Sequence, residues 1–138
     1  MPIARLAHYS IRTADLAASE KFYADVMGFR AGYRPPFAFP GRWLYAGGDE
    51  ADYGIVHLIG GGAEMESYLG ARSPGGQGGA LDHIAFAATG WAETRARLQR
   101  FQIDWRERTV PALNLHQVFL QDPNGIVIEL NYPATETD

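Results

Sequence analysis

The sequence has no cysteine among its 138 residues. This absence excludes a disulfide framework, a thiolate nucleophile and a metal site built from cysteine sulfur. Any metal ion must therefore be held by His, Asp or Glu side chains. The chain contains four histidines and 16 acidic residues from which such ligands could come.

Long apolar runs and clusters of basic residues are also missing. No segment approaches the roughly 18 apolar residues that a membrane span needs, and the N-terminal "MPIARLAHYSIRT" turns polar too early for a secretion signal. We therefore expect a cytoplasmic protein. The net charge is −4 without a basic run, so neither nucleic acid nor an anionic membrane is an expected partner. The expected partner is a small molecule.

What the sequence does contain is an internal repeat. Residues 6–30 begin "LAHYSI" and residues 81–106 begin "LDHIAF", and each segment runs from a short strand pattern into a helical one. His8 and His83 are 75 residues apart. Residues 53–59, "YGIVHLI", match residues 125–131, "GIVIELN", with His57 over Glu129 at an offset of 72. The similar offsets indicate two copies of one unit, each a strand, a helix and three strands.

Local signals place the helices and one turn. Apolar residues recur every three or four positions in "DLAASEKFYADVMG", residues 15–28, where Thr13 or Asp15 can cap the start and Gly28 can end the helix. A second helix is predicted in "WAETRARLQRFQI", residues 91–103. The fragment "DPNG", residues 122–125, predicts a turn between antiparallel strands.

Glu129 interrupts a strand that otherwise has the composition of a protein core. A buried carboxylate costs several kcal/mol unless a partner compensates it. Strand alternation assigns His8, His57, His83 and Glu129 to matching positions of the two units. If the units pack with approximate two-fold symmetry, these side chains converge on a divalent-metal site that neutralises Glu129. The competing interpretation of each histidine is a core or surface residue satisfied by a hydrogen bond.

Four fragments, "LAHYSI", "SEKFYADVMGF", "LDHIAF" and "FLQDPNGIVIEL", resemble the vicinal oxygen chelate superfamily. This superfamily includes glyoxalase I, methylmalonyl-CoA epimerase, fosfomycin-resistance and bleomycin-resistance proteins, and type I extradiol dioxygenases. The resemblance implies an α+β fold in which two βαβββ modules form a cupped mixed sheet around a metal cleft. The stretch from 34 to 61 is similar to a glyoxalase-I-like subgroup.

The resemblance also implies a domain organisation. Residues 1–138 would form one domain, with module one at about 4–60, a Gly-rich join at about 60–79, module two at about 80–133 and a polar tail at 134–138. Such modules often assemble as dimers. We therefore expect a homodimer, in which a site can be shared between chains.

By position, His8, His83 and Glu129 match the ligands common to the superfamily, and His57 stands where glyoxalase I has a Glu ligand. The first expectation is a lyase or isomerase whose divalent metal stabilises an enediolate. The metal could be iron, nickel, manganese, cobalt or zinc. Glu129 is then the catalytic base, or His57 is the base if it does not bind the metal.

Two other functions remain open. A non-haem iron(II) extradiol dioxygenase would use His8, His83 and Glu129 as ligands with His57 beside them. Such enzymes carry a Tyr four residues before the turn proline, where this chain has Phe119. The second alternative is a ligand-binding protein of the bleomycin-resistance kind, which needs no metal.

Four residues are candidates for binding the substrate. Alternation directs Gln117 and Phe119 to the site and His116 to the opposite face. Trp43 is a candidate wall of an apolar pocket, although aromatic residues of a small domain are more often core. Arg34 is a candidate receptor for a carboxylate, with a solvated arginine as its competing interpretation.

Overall fold

The computed structural model describes residues 6, 8–47, 54–61, 81 and 83–137. The chain divides into two compact units, one of residues 1–24 and 28–75 and the other of residues 25–27 and 76–138. The Gly-rich join expected at about 60–79 lies outside the described residues except for its first two positions. The predicted module boundaries, including that join, therefore stay a prediction.

The first unit is a four-stranded mixed sheet with one described helix. Its strand order is β1-β4-β3-β2, in which β1 and β4 are parallel and the other pairs are antiparallel. The elements are β1 Tyr9–Arg12, α1 Leu16–Asp25, β2 Arg30–Ala31, β3 Gly41–Tyr45 and β4 Val56–Ile59.

The second unit repeats this topology. Its strand order is β5-β8-β7-β6, with β5 and β8 parallel and the other pairs antiparallel. The elements are β5 His83–Ala87, α2 Trp91–Arg100, β6 Arg106–Val110, a 3₁₀ turn Pro111–Leu113, β7 Leu115–Gln121 and β8 Val127–Pro133. The predicted α+β fold of two βαβββ modules is confirmed.

The strand pairings in the two units agree with the correspondence that the sequence repeat predicts. His57 pairs with Ser10 across β4 and β1, and Glu129 pairs with Ala85 across β8 and β5. His8 lies two residues before Ser10, and His83 lies two residues before Ala85. His8, just before β1, is therefore placed relative to His57 as His83, at the start of β5, is placed relative to Glu129.

At both ends of helix α1, local hydrogen bonds satisfy backbone N–H and C=O groups that have no partner within the helix. Oδ1 of Asp15 accepts the backbone N–H of Ala18 at 3.0 Å, so Asp15 is the N-terminal cap. Gly28 has φ 73°, and the following Phe29 N–H donates to the carbonyl of Tyr23 at 2.9 Å. The regular helix ends at Asp25, and the turn after it is closed by Gly28, as predicted.

Helix α2 is shorter than predicted. It ends at Arg100, after which Gln102 takes a positive φ of 55° and Ile103 donates its N–H to the carbonyl of Leu98 at 2.9 Å. Trp91 and Leu98 are its buried residues. No helix in the described ranges is long and apolar enough to cross a membrane.

The hairpin turn before β8 fixes the register of Glu129. Oδ1 of Asp122 accepts the backbone N–H groups of Asn124 and Ile126 at 2.8 and 2.9 Å. Gly125 takes the positive φ of 81° that closes the turn. β8 therefore begins with a fixed alternation, which assigns Ile128 and Leu130 to the helix-covered face and Glu129 to the other.

Candidate metal-binding site

The second sheet brings together His83 and Glu129. Nε2 of His83 lies 2.9 Å from Oε2 of Glu129, with the His83 side chain 40% exposed and the Glu129 side chain 9% exposed. The contact arises because β5 and β8 are parallel neighbours, with His83 opposite Val127 and Ala85 opposite Glu129. A solvent-accessible imidazole thus meets a buried carboxylate on the face that α2 does not cover.

The second carboxylate oxygen of Glu129 is held by a hydrogen-bond chain. Nε2 of Gln117 donates to Oε1 of Glu129 at 2.7 Å and to Oδ1 of Asn131 at 2.9 Å. Nε of Arg108 in turn donates to Oε1 of Gln117 at 2.7 Å. Both oxygens of Glu129 are therefore satisfied, and the orientation of the carboxylate is fixed by residues of three strands.

The spacing of this pair fits metal ligation. Neighbouring ligand atoms around one divalent cation, each bound at about 2.1 Å, lie about 3 Å apart. The 2.9 Å between Nε2 of His83 and Oε2 of Glu129 has this size. Gln117 supplies the outer hydrogen bond that orients a ligating carboxylate in many metal sites.

The first unit brings together His8 and His57 in a column of stacked rings. The ring centroids of His8 and His57 are 3.8 Å apart, with an angle of 16° between the ring planes. The ring of Trp43 also stacks on His57, with centroids 4.1 Å apart and an angle of 5° between the planes. His57 is only 7% exposed, whereas His8 is exposed. His57 is the middle ring of this three-ring column.

This stacking limits how the two histidines can bind a metal. An imidazole ligates through a nitrogen lone pair in its own plane, and two such planes must meet at a shared cation. Near-parallel rings 3.8 Å apart do not direct both lone pairs to one point. As the rings lie, His8 and His57 can contribute one ligand between them to a single cation, and the ligand role expected for each stays a prediction.

The four expected ligands thus form two pairs, one in each unit. Within the described residues, no three side chains of His, Asp or Glu form a group that could hold a metal ion. The two histidines of the first unit and the His-Glu pair of the second are each one short of the smallest such group. The complete set of four stays a prediction.

His116 has a structural environment. Its Nδ1 lies 2.6 Å from the carbonyl oxygen of Glu136, its Nε2 lies 2.9 Å from Oε1 of Glu107, and its ring meets Trp91 edge-on at 5.3 Å. It is 2% exposed. As alternation predicts, it faces α2 rather than the face of Gln117 and Glu129.

The other predicted site residues have varied environments. Gln117 and Phe119 lie on the face of Glu129, with Phe119 directly opposite it in the β7–β8 pair. Arg34 donates through Nη2 to the carbonyl of Phe39 at 2.9 Å, and burial, together with the nearby Arg42, lowers its pKa. Arg34 therefore already has a structural contact, and its role in substrate binding stays a prediction.

Two residues near this site were not singled out from the sequence. Arg106 and Arg108 lie over the ring of Phe119, with guanidinium carbons 5.4 and 5.5 Å from its centroid. The fragment "RERTV" has alternating charge and is typical of a solvated edge strand. The pairing of Arg106 with Phe119 and of Arg108 with Gln117 could have been found only by aligning β6 with β7.

Two βαβββ units with donor side chains at corresponding strand positions define an α+β protein of paired modules. A model of the Glyoxalase/Bleomycin resistance protein/Dioxygenase superfamily matches residues 5–130. The chain belongs to this superfamily, as its sequence fragments predict. No curated protein matches the sequence.

Solved structures share the fold along nearly the whole chain. A virulence protein from Salmonella typhimurium is 22% identical with a TM-score of 0.68, covering 96% of this chain and 99% of that one. A lactoylglutathione lyase from Agrobacterium tumefaciens is 21% identical with a TM-score of 0.65, covering 99% and 98%. TnmS3, an antibiotic-binding protein from Streptomyces sp. CB03234, is 25% identical with a TM-score of 0.61, covering 96% and 98%.

Proposed function

We propose that the protein is a divalent-metal-dependent lyase or isomerase that acts on a small chelating hydroxy-carbonyl substrate. The observation that carries this proposal is the 2.9 Å contact between Nε2 of His83 and Oε2 of Glu129. A buried carboxylate braced by Gln117 and facing an accessible imidazole is the kind of arrangement that binds a cation in a fixed geometry.

Glu129 has the chemistry of the catalytic base. A bound divalent cation would polarise the substrate carbonyl and so stabilise negative charge on its oxygen. Oε2 of Glu129, which faces His83, would accept the substrate's α-proton through a lone pair that does not hold the cation, while Gln117 holds Oε1. Because one oxygen is fixed, the other keeps the direction that proton transfer requires.

His83 and Glu129 alone supply too few ligands for a stable metal site. The family resemblance adds His8 and His57, and the exposed His8 is the ligand we favour from the first unit. His57, stacked between Trp43 and His8, would then orient the His8 ring. We also propose a homodimer, in which one chain can complete the ligand set of another.

A second candidate function is metal-independent binding of a planar ligand. The three-ring column of Trp43, His57 and His8 favours it, because its ring faces resemble the aromatic walls that bind flat apolar molecules. The antibiotic-binding TnmS3 is 25% identical to this chain. The extradiol dioxygenase is the other alternative, and its ligands would be His8, His83 and Glu129.

One experiment separates these functions. Purified protein is analysed for bound metal, stripped, reloaded separately with each candidate ion, and incubated in D₂O with the hemithioacetal of glutathione and a 2-oxoaldehyde. The proposal predicts metal-dependent deuterium exchange at the α-carbon. Oxygen uptake with catechols and iron(II), without any exchange, would indicate the dioxygenase instead. Saturable binding of planar ligands by protein that takes up no metal would indicate the binding protein.

A further inference from the structure

We infer that the substrate carries an oxyanion, a carboxylate or phosphoryl group, which Arg106 and Arg108 bind, and that the organic group next to it occupies a pocket beside Phe119. The inference rests on the proposed function and deepens it by naming a substrate class. It is carried by observations within the second unit alone.

The two arginines flank a single aromatic ring. The guanidinium carbon of Arg106 is 5.4 Å from the centroid of Phe119, and that of Arg108 is 5.5 Å from it. Two like charges held beside one ring repel each other, and a bound anion relieves this repulsion. Guanidinium groups are also the side chains best suited to bidentate binding of carboxylate and phosphoryl oxygens.

Strand alternation separates these cations from Glu107. Glu107 lies between them in sequence but pairs with Val118 and bonds to His116 and Trp105. Within the described residues, neither Arg106 nor Arg108 forms an ion pair with a carboxylate, whereas Arg97 of α2 pairs with Glu93 at 2.8 Å. Glu129 is the carboxylate on this face, and it bonds to His83 and Gln117 rather than to either arginine, so both guanidinium groups can still donate to a bound anion.

Next to this pair lies a pocket of about 430 Å³, a volume within the usual range for small-molecule sites. Its apolar walls come from Ile103, Trp105, Phe119 and Val127, and Arg106 is its basic residue. The pocket lies entirely in the second unit, between the loop after α2, the end of β7 and the start of β8.

The pocket also has two acidic residues, and neither prevents anion binding at Phe119. Asp122 is 5% exposed, and its carboxylate accepts hydrogen bonds within the turn from Asn124 and Ile126. Asp104 is exposed to solvent, where its charge is screened.

The oxyanion site adjoins the proposed reaction centre. Phe119 is directly opposite Glu129 in the β7–β8 pair, and Val127 is directly opposite His83 in the β8–β5 pair. Directly opposed residues have Cβ atoms about 5 Å apart. A substrate whose anionic end lies at Phe119 therefore extends only a short distance to reach Glu129.

The test uses metal-stripped, desalted full-length protein, so that its outcome does not depend on metal binding. Phenylacetate, benzylphosphonate and the neutral phenylacetamide are each titrated and followed by protein NMR shifts. We expect saturable binding of at least one acid, about tenfold tighter than that of the amide, because a hydrogen bond to a charged group adds about this much. The preference between the two acids identifies the oxyanion as carboxylate or phosphoryl.

The variant Arg106→Gln should lower the affinity for the acid several-fold and the affinity for the amide much less, because Arg108 remains and the amide has no charge to lose a partner for. Its control is Arg95→Gln, which removes the same charge from an exposed position on α2. Equal affinities for acid and amide, an equal effect of the two substitutions, or the lack of saturable binding by either acid would overturn the inference. If the proposed function is wrong but this inference is right, the protein will not bind a metal ion but will still prefer the acid to the amide.

Discussion

Gln117 donates a 2.7 Å hydrogen bond to Oε1 of the buried Glu129. The sequence indicates that this carboxylate needs compensation, and a metal ion is the expected source. The structure adds protein groups that share the task, since His83 faces the second oxygen and Arg108 donates to Gln117. The carboxylate is therefore oriented by the protein itself, as a pre-organised ligand or base should be.

Replacing Gln117 with Leu should weaken metal binding by tenfold to a hundredfold, the range typical of an outer partner of a ligand. The loss of one hydrogen bond to a buried carboxylate should also lower the free energy of unfolding by roughly 1–3 kcal/mol. Calorimetric metal titration and urea denaturation measure the two effects. Gln99→Leu, on the exposed side of α2, is the control and should change neither.

Replacing Glu129 with Gln should abolish turnover without unfolding the protein. The amide has the shape of the carboxylate and can still accept from Gln117, but it cannot take up a proton. We expect deuterium exchange into the substrate to fall by more than a hundredfold, with the far-UV circular dichroism spectrum unchanged. Retention of wild-type exchange rates would show that another residue is the base.

His8→Ala and His57→Ala should have different effects. His8 is exposed, so its removal should change stability by less than about 0.5 kcal/mol while lowering metal affinity. His57 is buried between two rings, so its removal should cost roughly 1–3 kcal/mol through lost packing. Urea denaturation of each metal-free variant measures stability. Unchanged metal affinity in His8→Ala would refute the role proposed for His8.

His116→Ala should destabilise the fold but spare the metal site. The substitution removes a buried ring with partners on both nitrogens and should cost roughly 2–4 kcal/mol. Metal content per folded protein, measured at low temperature, should equal that of the wild type. A loss of metal from folded protein would mean that His116 acts on the face of Glu129, contrary to the register of β7 and β8.

Much of the fold could be predicted because the repeat constrains it. The similar offsets of the His8–His83 and His57–Glu129 pairs correspond to equivalent strand positions, and Gly28 ends its helix as predicted. The end of α2 was wrong by three residues, because the turn at Gln102 takes up sequence that continues the predicted helical segment.

Side-chain arrangement was harder to predict. Alternation assigns His8 and His57 to a face but does not fix their rotamers, so their stacking was not foreseen. Arg106 and Arg108 were missed because their positions over Phe119 depend on the pairing of an edge strand with β7. Gln117 was identified by alternation, whereas its bonds to Glu129 and Asn131 require the observed register.

The most direct test of the account is titration of metal-stripped protein with Zn²⁺ by calorimetry, comparing the wild type with His83→Ala and Glu129→Gln. We predict one tightly bound ion per chain in the wild type and a loss of affinity greater than tenfold in each variant. Wild-type affinity and stoichiometry in Glu129→Gln, or no Zn²⁺ binding by the wild type, would contradict the account.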